Sequence, residues 1–452
     1  MSQALRGRSG VCSRLLSAIL AIFRPFVLLL FVCSATESWA QTWDGGGNNN
    51  NWNAANNWSP NGVPVNNGTA NVTFSGTTRL TPKLNVNRSV ASVTFDSAAG
   101  EFVIDGPRTL TINSGGILSN AAGTESINNN VILGANQSWT VTNSGSTLAV
   151  GGDISGSFSL NKAGAGTLTL SGDNTYSGGT TISGGTLQGT TASLQGNIIN
   201  NANLTFAQAT DGTFAGIISG TGNLLKTGAG TLTLSGNNTY TGSTTVLEGS
   251  LVGNATNLQG DITNDANLTF DQTVDSTFAG IVSGTGSVTK TGAGTLTLSG
   301  ANTYGGGTTI SGGSLLGDST SLQGNITNNA NVTFDQAASG TYAGIVSGTG
   351  SVTKTGAGTL TLSGANTYGG GTTISGGSLV GDSTSLQGNI TNNAIVTFDQ
   401  AASGTYAGIV SGAGGLFKTG AGTLTLSGAN TYGGGTTISG GSLVGDSTSL
   451  QG

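Results

Sequence analysis

Short runs in which every second residue is apolar recur along this chain, with turn-forming glycine, asparagine and serine between them. Leu168-Thr169-Leu170, Thr180-Thr181-Ile182, Thr186-Leu187, Asn197-Ile198-Ile199, Leu204-Thr205-Phe206, Phe214-Ala215-Gly216-Ile217 and Leu224-Leu225 follow one another in this way. Period-two alternation places Leu, Ile, Val and Phe inward and Thr or Ser outward, as in a strand buried on one face. Helix signals are missing. Looser versions of the pattern, Val72-Thr73-Phe74, Val93-Thr94-Phe95, Leu110-Thr111-Ile112 and Trp139-Thr140-Val141, occupy residues 71 to 161.

The pattern repeats at a fixed step. Lys162, Lys226, Lys290, Lys354 and Lys418 are 64 residues apart, and Tyr176, Tyr240, Tyr304, Tyr368 and Tyr432 keep the same interval. A unit reused without insertion stacks on its neighbours, because one copy cannot bury its own apolar face. The expected fold is all-β, a right-handed parallel β-helix (β-solenoid) with about three rungs per 64-residue unit at roughly 20 to 25 residues per rung. At about 4.8 Å per rung, the stretch after residue 40 makes a rod of roughly 19 rungs and 90 Å. The unit from Lys290 to Thr353 differs from the next at only six positions, and such near-copies suit a spacer, scaffold or multivalent surface better than a single catalytic cleft.

Five regions follow. Residues 1-40 read as a secretory signal: Arg6, Arg8, Arg14 and Arg24 precede the apolar run Phe26 to Cys33, and Ser38-Trp39-Ala40 places small residues where a signal peptidase reads, so cleavage is expected between Ala40 and Gln41. A membrane anchor is the alternative, but Arg24 and Pro25 interrupt the apolar stretch and leave it too short to span. A lipoprotein site at Cys33 lacks the small residue expected before it. Residues 41-70, with Trp43, Trp52 and Trp58 among Gly and Asn, form an opening region expected to cap the solenoid's end, or alternatively to offer an aromatic platform to a sugar. Residues 71-161 read as degenerate rungs, and 162-452 as tandem units 162-225, 226-289, 290-353, 354-417 and a shorter 418-452.

The segment from Lys162 through Gly164-Ala165-Gly166-Thr167-Leu168-Thr169-Leu170-Ser171-Gly172, Asn174-Thr175-Tyr176 and Gly184-Gly185-Thr186-Leu187 recurs from each of the four later lysines. It resembles the autotransporter-associated β-strand repeat, also called the passenger-associated transport repeat. The second copy departs from the pattern at Val246-Leu247-Glu248-Gly249. The resemblance implies a bacterial passenger, secreted or displayed at the cell surface, whose repeats aid transport. Its partners would be the outer-membrane export machinery or a C-terminal β-barrel. The opening around Trp43 is also similar to the starts of exported repeat proteins that lack a barrel. The sequence stops at Gly452, thirty-five residues into its fifth unit, which reads as a fragment or truncated product with an open rung prone to self-association.

Composition narrows the chemistry. Only 7% of residues are charged, 80 are Gly and the net charge is −6, becoming 9 − 18 = −9 without residues 1-40. The surface is neutral and rich in hydroxyls and amides, with no basic stripe for nucleic acid. His is absent, and both cysteines, Cys12 and Cys33, lie in the leader, which argues against His-dependent triads, zinc, haem and thiol chemistry. No cofactor and no metal site is expected. The loop Gly305-Gly306-Gly307 lacks the following helix of a phosphate cradle. Asp318, Asp335, Asp382, Asp399 and Asp446 recur without the calcium β-roll signature and read as solvated corners. The repeat lysines read as solvated rung edges that discourage aggregation.

The function expected is extension, display and export, with possible adhesion to host glycan or matrix. The chain is not expected to be an enzyme. The alternatives are a carbohydrate-active β-helix enzyme and a released repeat protein without a barrel. The acidic clusters Asp96, Glu101, Asp105 and Asp261, Asp265, Asp271, Asp275 are too diffuse for paired carboxylates, and no catalytic residue is assigned.

Overall fold

A computed structural model describes residues 40–450; the expected leader, with Cys12 and Cys33, lies outside the described residues apart from Ala40. From Gln41 onward the chain winds as a parallel β-solenoid. Its one helical element is the short 3₁₀ turn Ala55–Asn57.

Each turn has three sides, because Gly and Asn bend the chain where the apolar alternation stops. Thr167–Leu170 and Thr186–Gly189 pair on one side, one turn apart, while Thr180–Ile182 between them pairs in another sheet with Ile198–Asn200. Inward positions stack like on like. Leu148, Leu168, Leu187, Leu204 and Leu224 are successive register partners, all essentially unexposed. Each such side chain contributes about 1.5–3 kcal/mol relative to exposure.

At the first turns the ladder is aromatic. Gln41–Trp43 pairs in parallel with Asn71–Phe74 and is itself covered by the antiparallel strand Trp58–Ser59. Trp43, Trp52 and Trp58 are fully buried, with ring centroids 4.9 to 5.2 Å apart, and Phe74, Phe95 and Phe102 continue the column below them. None of the three tryptophans presents a ring face to solvent, so the sugar-platform alternative has no platform here.

The turn length corrects one expectation. Thr213, Thr233, Val252, Thr269, Thr289, Thr309, Thr327 and Ser347 form one outward column through seven successive pairings, so 134 residues make seven turns of about 19 residues. A 64-residue unit therefore makes about 3⅓ turns, not three, and each unit begins on the next side of the prism. The equivalent strands Thr167–Leu170, Thr231–Leu234, Thr295–Leu298, Thr359–Leu362 and Thr423–Leu426 accordingly lie in five different sheets. The column continues past Ser347 through loops, where Thr367 N–H donates to Val346 O and Asn366 Nδ2 donates to Ser385 O, and strand resumes at Gly404–Tyr406. A given unit position returns to its column after three units and ten turns.

Candidate functional site

The repeat lysines do not edge the rungs in solvent. In Leu160-Asn161-Lys162 the alternation that sends Leu160 inward also sends Lys162 inward, and all five lysines are fully buried. Lys162 Nζ donates to Ala163 O at 2.8 Å, Gly164 O at 2.9 Å and Gly184 O at 2.9 Å. Lys290 does the same with Thr291 O, Gly292 O and Gly312 O. The ammonium thus joins a glycine corner to the corner one turn later. Three N–H donors meet three carbonyls that would otherwise be orphaned. Burial pushes Lys162 down to about 8, which leaves it protonated at pH 7. Gly164 accepts from a left-handed backbone, φ +76°, which favours glycine there.

Two other motif residues act inside the wall. Asn302 Oδ1 accepts from Val282 N–H and its Nδ2 donates to Ser321 O, so one amide bridges three turns. The Tyr304 hydroxyl bonds the Thr308 hydroxyl at 2.8 Å, both buried. The sequence analysis used the tyrosine only as a marker of period.

The recurrent aspartates are built into the turns. Asp318 Oδ1 accepts from Thr320 N–H, Thr320 Oγ1 and Ser321 N–H, and Asp382 and Asp446 repeat that arrangement. Asp335 and Asp399 accept from Thr355 and Thr419 hydroxyls. The candidate acidic clusters are likewise dispersed. Asp96 and Asp105 accept from their own turns. Asp261, Asp265, Asp271 and Asp275 each bind a different residue twenty positions on. Among the described residues no three of His, Cys, Asp or Glu come together as a metal set.

Irregularity concentrates before the repeats. Two open polar concavities flank one side of the solenoid at residues 106–161. One, of about 200 Å³, is lined by Gly106 to Thr109 and Asn128 to Asn130. The other, of about 320 Å³, is lined by Ser114, Gly115, Asn136, Gln137, Ser138, Ser159 and Asn161. No carboxylate lines either one. The buried polar side-chain atoms without a partner among the described residues are Trp52 Nε1, Arg88 Nε, Ser119 Oγ, Glu125 Oε1 and Asn129 Oδ1, all of them before the first 64-residue unit.

Glu125 stands in the inward ladder between Phe102 and Leu148 and is fully buried. Desolvation pushes it up to about 7, against the Phe102 N–H that its Oε2 accepts, and the neighbouring Glu101 adds to the rise. Sequence reasoning did not single it out, although Thr124-Glu125-Ser126-Ile127 places it in an inward slot.

A comparison with protein-family models matches five 29-residue segments, 160–188, 224–252, 288–316, 352–380 and 416–444, to the Passenger-associated-transport-repeat. No curated protein and no solved structure matches the chain. Each matched segment contains the buried lysine, the Thr-Leu-Thr-Leu strand, the bridging asparagine and the Tyr–Thr pair. The molecule is a parallel β-solenoid protein built on five passenger-associated transport repeats.

Proposed function

We propose that the five units form an exported stalk, whose role is extension, display and promotion of its own passage to the bacterial surface. The observation that carries this reading is the sealed wall of the repeats. Every unit satisfies its buried amide, hydroxyl and ammonium groups internally and pairs its strands with the turns before and after it. Such stacking lets each turn form on the previous one, so folding outside the membrane proceeds vectorially and disfavours return. The aromatic opening region closes the first turns against further pairing, and the secretory leader would deliver the chain. A carbohydrate-active enzyme is the less supported reading, because the two concavities offer no carboxylate pair.

The test varies repeat number in cells. Chains with five, three and one unit are joined to a common outer-membrane β-barrel, and the surface fraction is measured by protease accessibility. Surface yield should fall as units are removed. Equal yield at all three lengths would sink the export role, and the display role would then rest on reach alone.

A further inference from the structure

We infer that residues 106–161 carry an oligosaccharide-binding surface running across one side of the solenoid between the two polar concavities. The inference does not depend on the stalk reading, since it concerns turns outside the 64-residue units.

Its anchor is Asn129. This side chain is 1% exposed, and its Nδ2 donates to Gly106 O at 2.7 Å and Arg108 O at 2.8 Å, holding the loop that forms the smaller concavity. Its Oδ1 has no partner among the described residues, although Asn129 lines that concavity. An orphaned buried acceptor costs about 1–3 kcal/mol. The buried asparagines of the repeats avoid that cost: Asn200 accepts from Ala202 N–H and donates to Asn223 O. Beside Asn129 stands Arg108, exposed and without any hydrogen bond or ion pair to a described residue. The site therefore presents one acceptor needing a donor and one five-donor guanidinium needing acceptors.

The surface between the concavities suits the same ligand. Leu110–Ser119, Val131–Leu133 and Ile154–Ser155 are adjacent there, and Thr111, Ile132 and Ser155 are register partners that face outward. Ile132, 38% exposed, is a single apolar spot between hydroxyls, sized for the C–H face of a sugar ring rather than for a buried protein side chain. The larger concavity continues with amides and hydroxyls. Asn136 Oδ1 accepts from Ser159 N–H, and Asn161 Nδ2 donates to Ser138 Oγ, so one lone pair or proton of each group is left to face solvent. A polyhydroxylated chain supplies donors and acceptors alternately, as this lining requires. The nearest carboxylates are already engaged: Asp105 accepts from Gly106 N–H and Asp153 from Asp173 N–H. They also leave Arg108 as the place where a carboxylate-bearing sugar would differ from a neutral one.

The full chain is applied to a microarray of neutral and uronate-containing oligosaccharides, and each hit is titrated by calorimetry. Binding to either class is expected, weakened about tenfold or more by Arg108→Gln and by Ile132→Glu, both exposed positions whose replacement leaves thermal unfolding unchanged. A uronate-only hit assigns Arg108 to a carboxylate; a neutral hit assigns it to hydroxyls. No binding to either class overturns the inference. So does binding indifferent to both substitutions, or binding that falls with unit number while residues 41–161 are intact. Any of those failures leaves the repeat-number experiment standing on its own.

Discussion

A buried ammonium that holds three carbonyls cannot be replaced by a hydrophobe of similar length without loss. In Lys290→Met the transfer of the side chain is favourable, but Thr291 O, Gly292 O and Gly312 O lose their donor in a place water cannot reach. The expected destabilisation is about 2–4 kcal/mol, read as earlier urea unfolding of a chain carrying only that change; an unchanged midpoint would show the carbonyls indifferent to the lysine. Glu125 gives a pH signature of opposite chemistry. Its folded value of about 7 lies above the ordinary carboxylate range, so between roughly pH 4.5 and 7 the folded state holds a proton that the unfolded chain has released. Stability is therefore full at pH 4 and declines as pH rises to 7, and Glu125→Gln should abolish the slope in hydrogen-exchange protection of residues 102–148. Both residues were half-legible in the sequence. Strand alternation already assigns Lys162 and Glu125 to inward slots, but charge alone argued for solvent, and only the positions of the carbonyls and of the Phe102 amide decide between them. The converse holds for Ile217, Ile281, Ile345 and Ile409. They read as core in an apolar run yet are about 40% exposed, because the adjacent Ile218, Val282, Val346 and Val410 take the inward slot.

At the level of the strand and its corner, turn length is set by glycine. Gly313 has φ +66°, and a Cβ there would stand 2.4 Å from Gly294 O and 2.6 Å from Gly292 O, both backbone atoms of the preceding turn that cannot step aside. Gly313→Ala should therefore disturb the corner that Lys290 closes and lower the thermal midpoint, whereas an alanine at Ser319, on the exposed turn, should do little. Near-equal effects of the two would refute the close-approach argument. The strands and their order were readable from Thr-Leu-Thr-Leu and its kin. The number of turns per unit was not, because successive register steps vary from 17 residues between Leu187 and Leu204 to 20 between Leu204 and Leu224, and corner lengths leave no apolar signature. The concavities at residues 106–161 were hidden for a related reason: they depend on which amides across turns find partners, and no local spacing records that.

For the whole solenoid, the third of a turn left over by each unit makes a distance prediction. Thr213 and Thr405, both outward, are three units apart and stand in one column ten turns apart, which at about 4.8 Å per turn is roughly 48 Å. With Cys12 and Cys33 replaced by alanine, spin labels at Thr213→Cys and Thr405→Cys should report that separation. A unit of three whole turns would give about 43 Å instead. The same offset governs what the surface can present. The exposed isoleucines at 64-residue intervals are dealt to successive sides, so none of the three sides carries an unbroken greasy stripe along which two rods could zip together. It also makes the molecule tolerant of recombination between its own copies. Gaining or losing one unit leaves every junction chemically intact, yet shifts all that follows by about 16 Å along the axis and turns it through a third of a revolution. A lineage of such genes could thus change both the reach and the heading of whatever the rod carries by slipping a single copy, with no cost in fold.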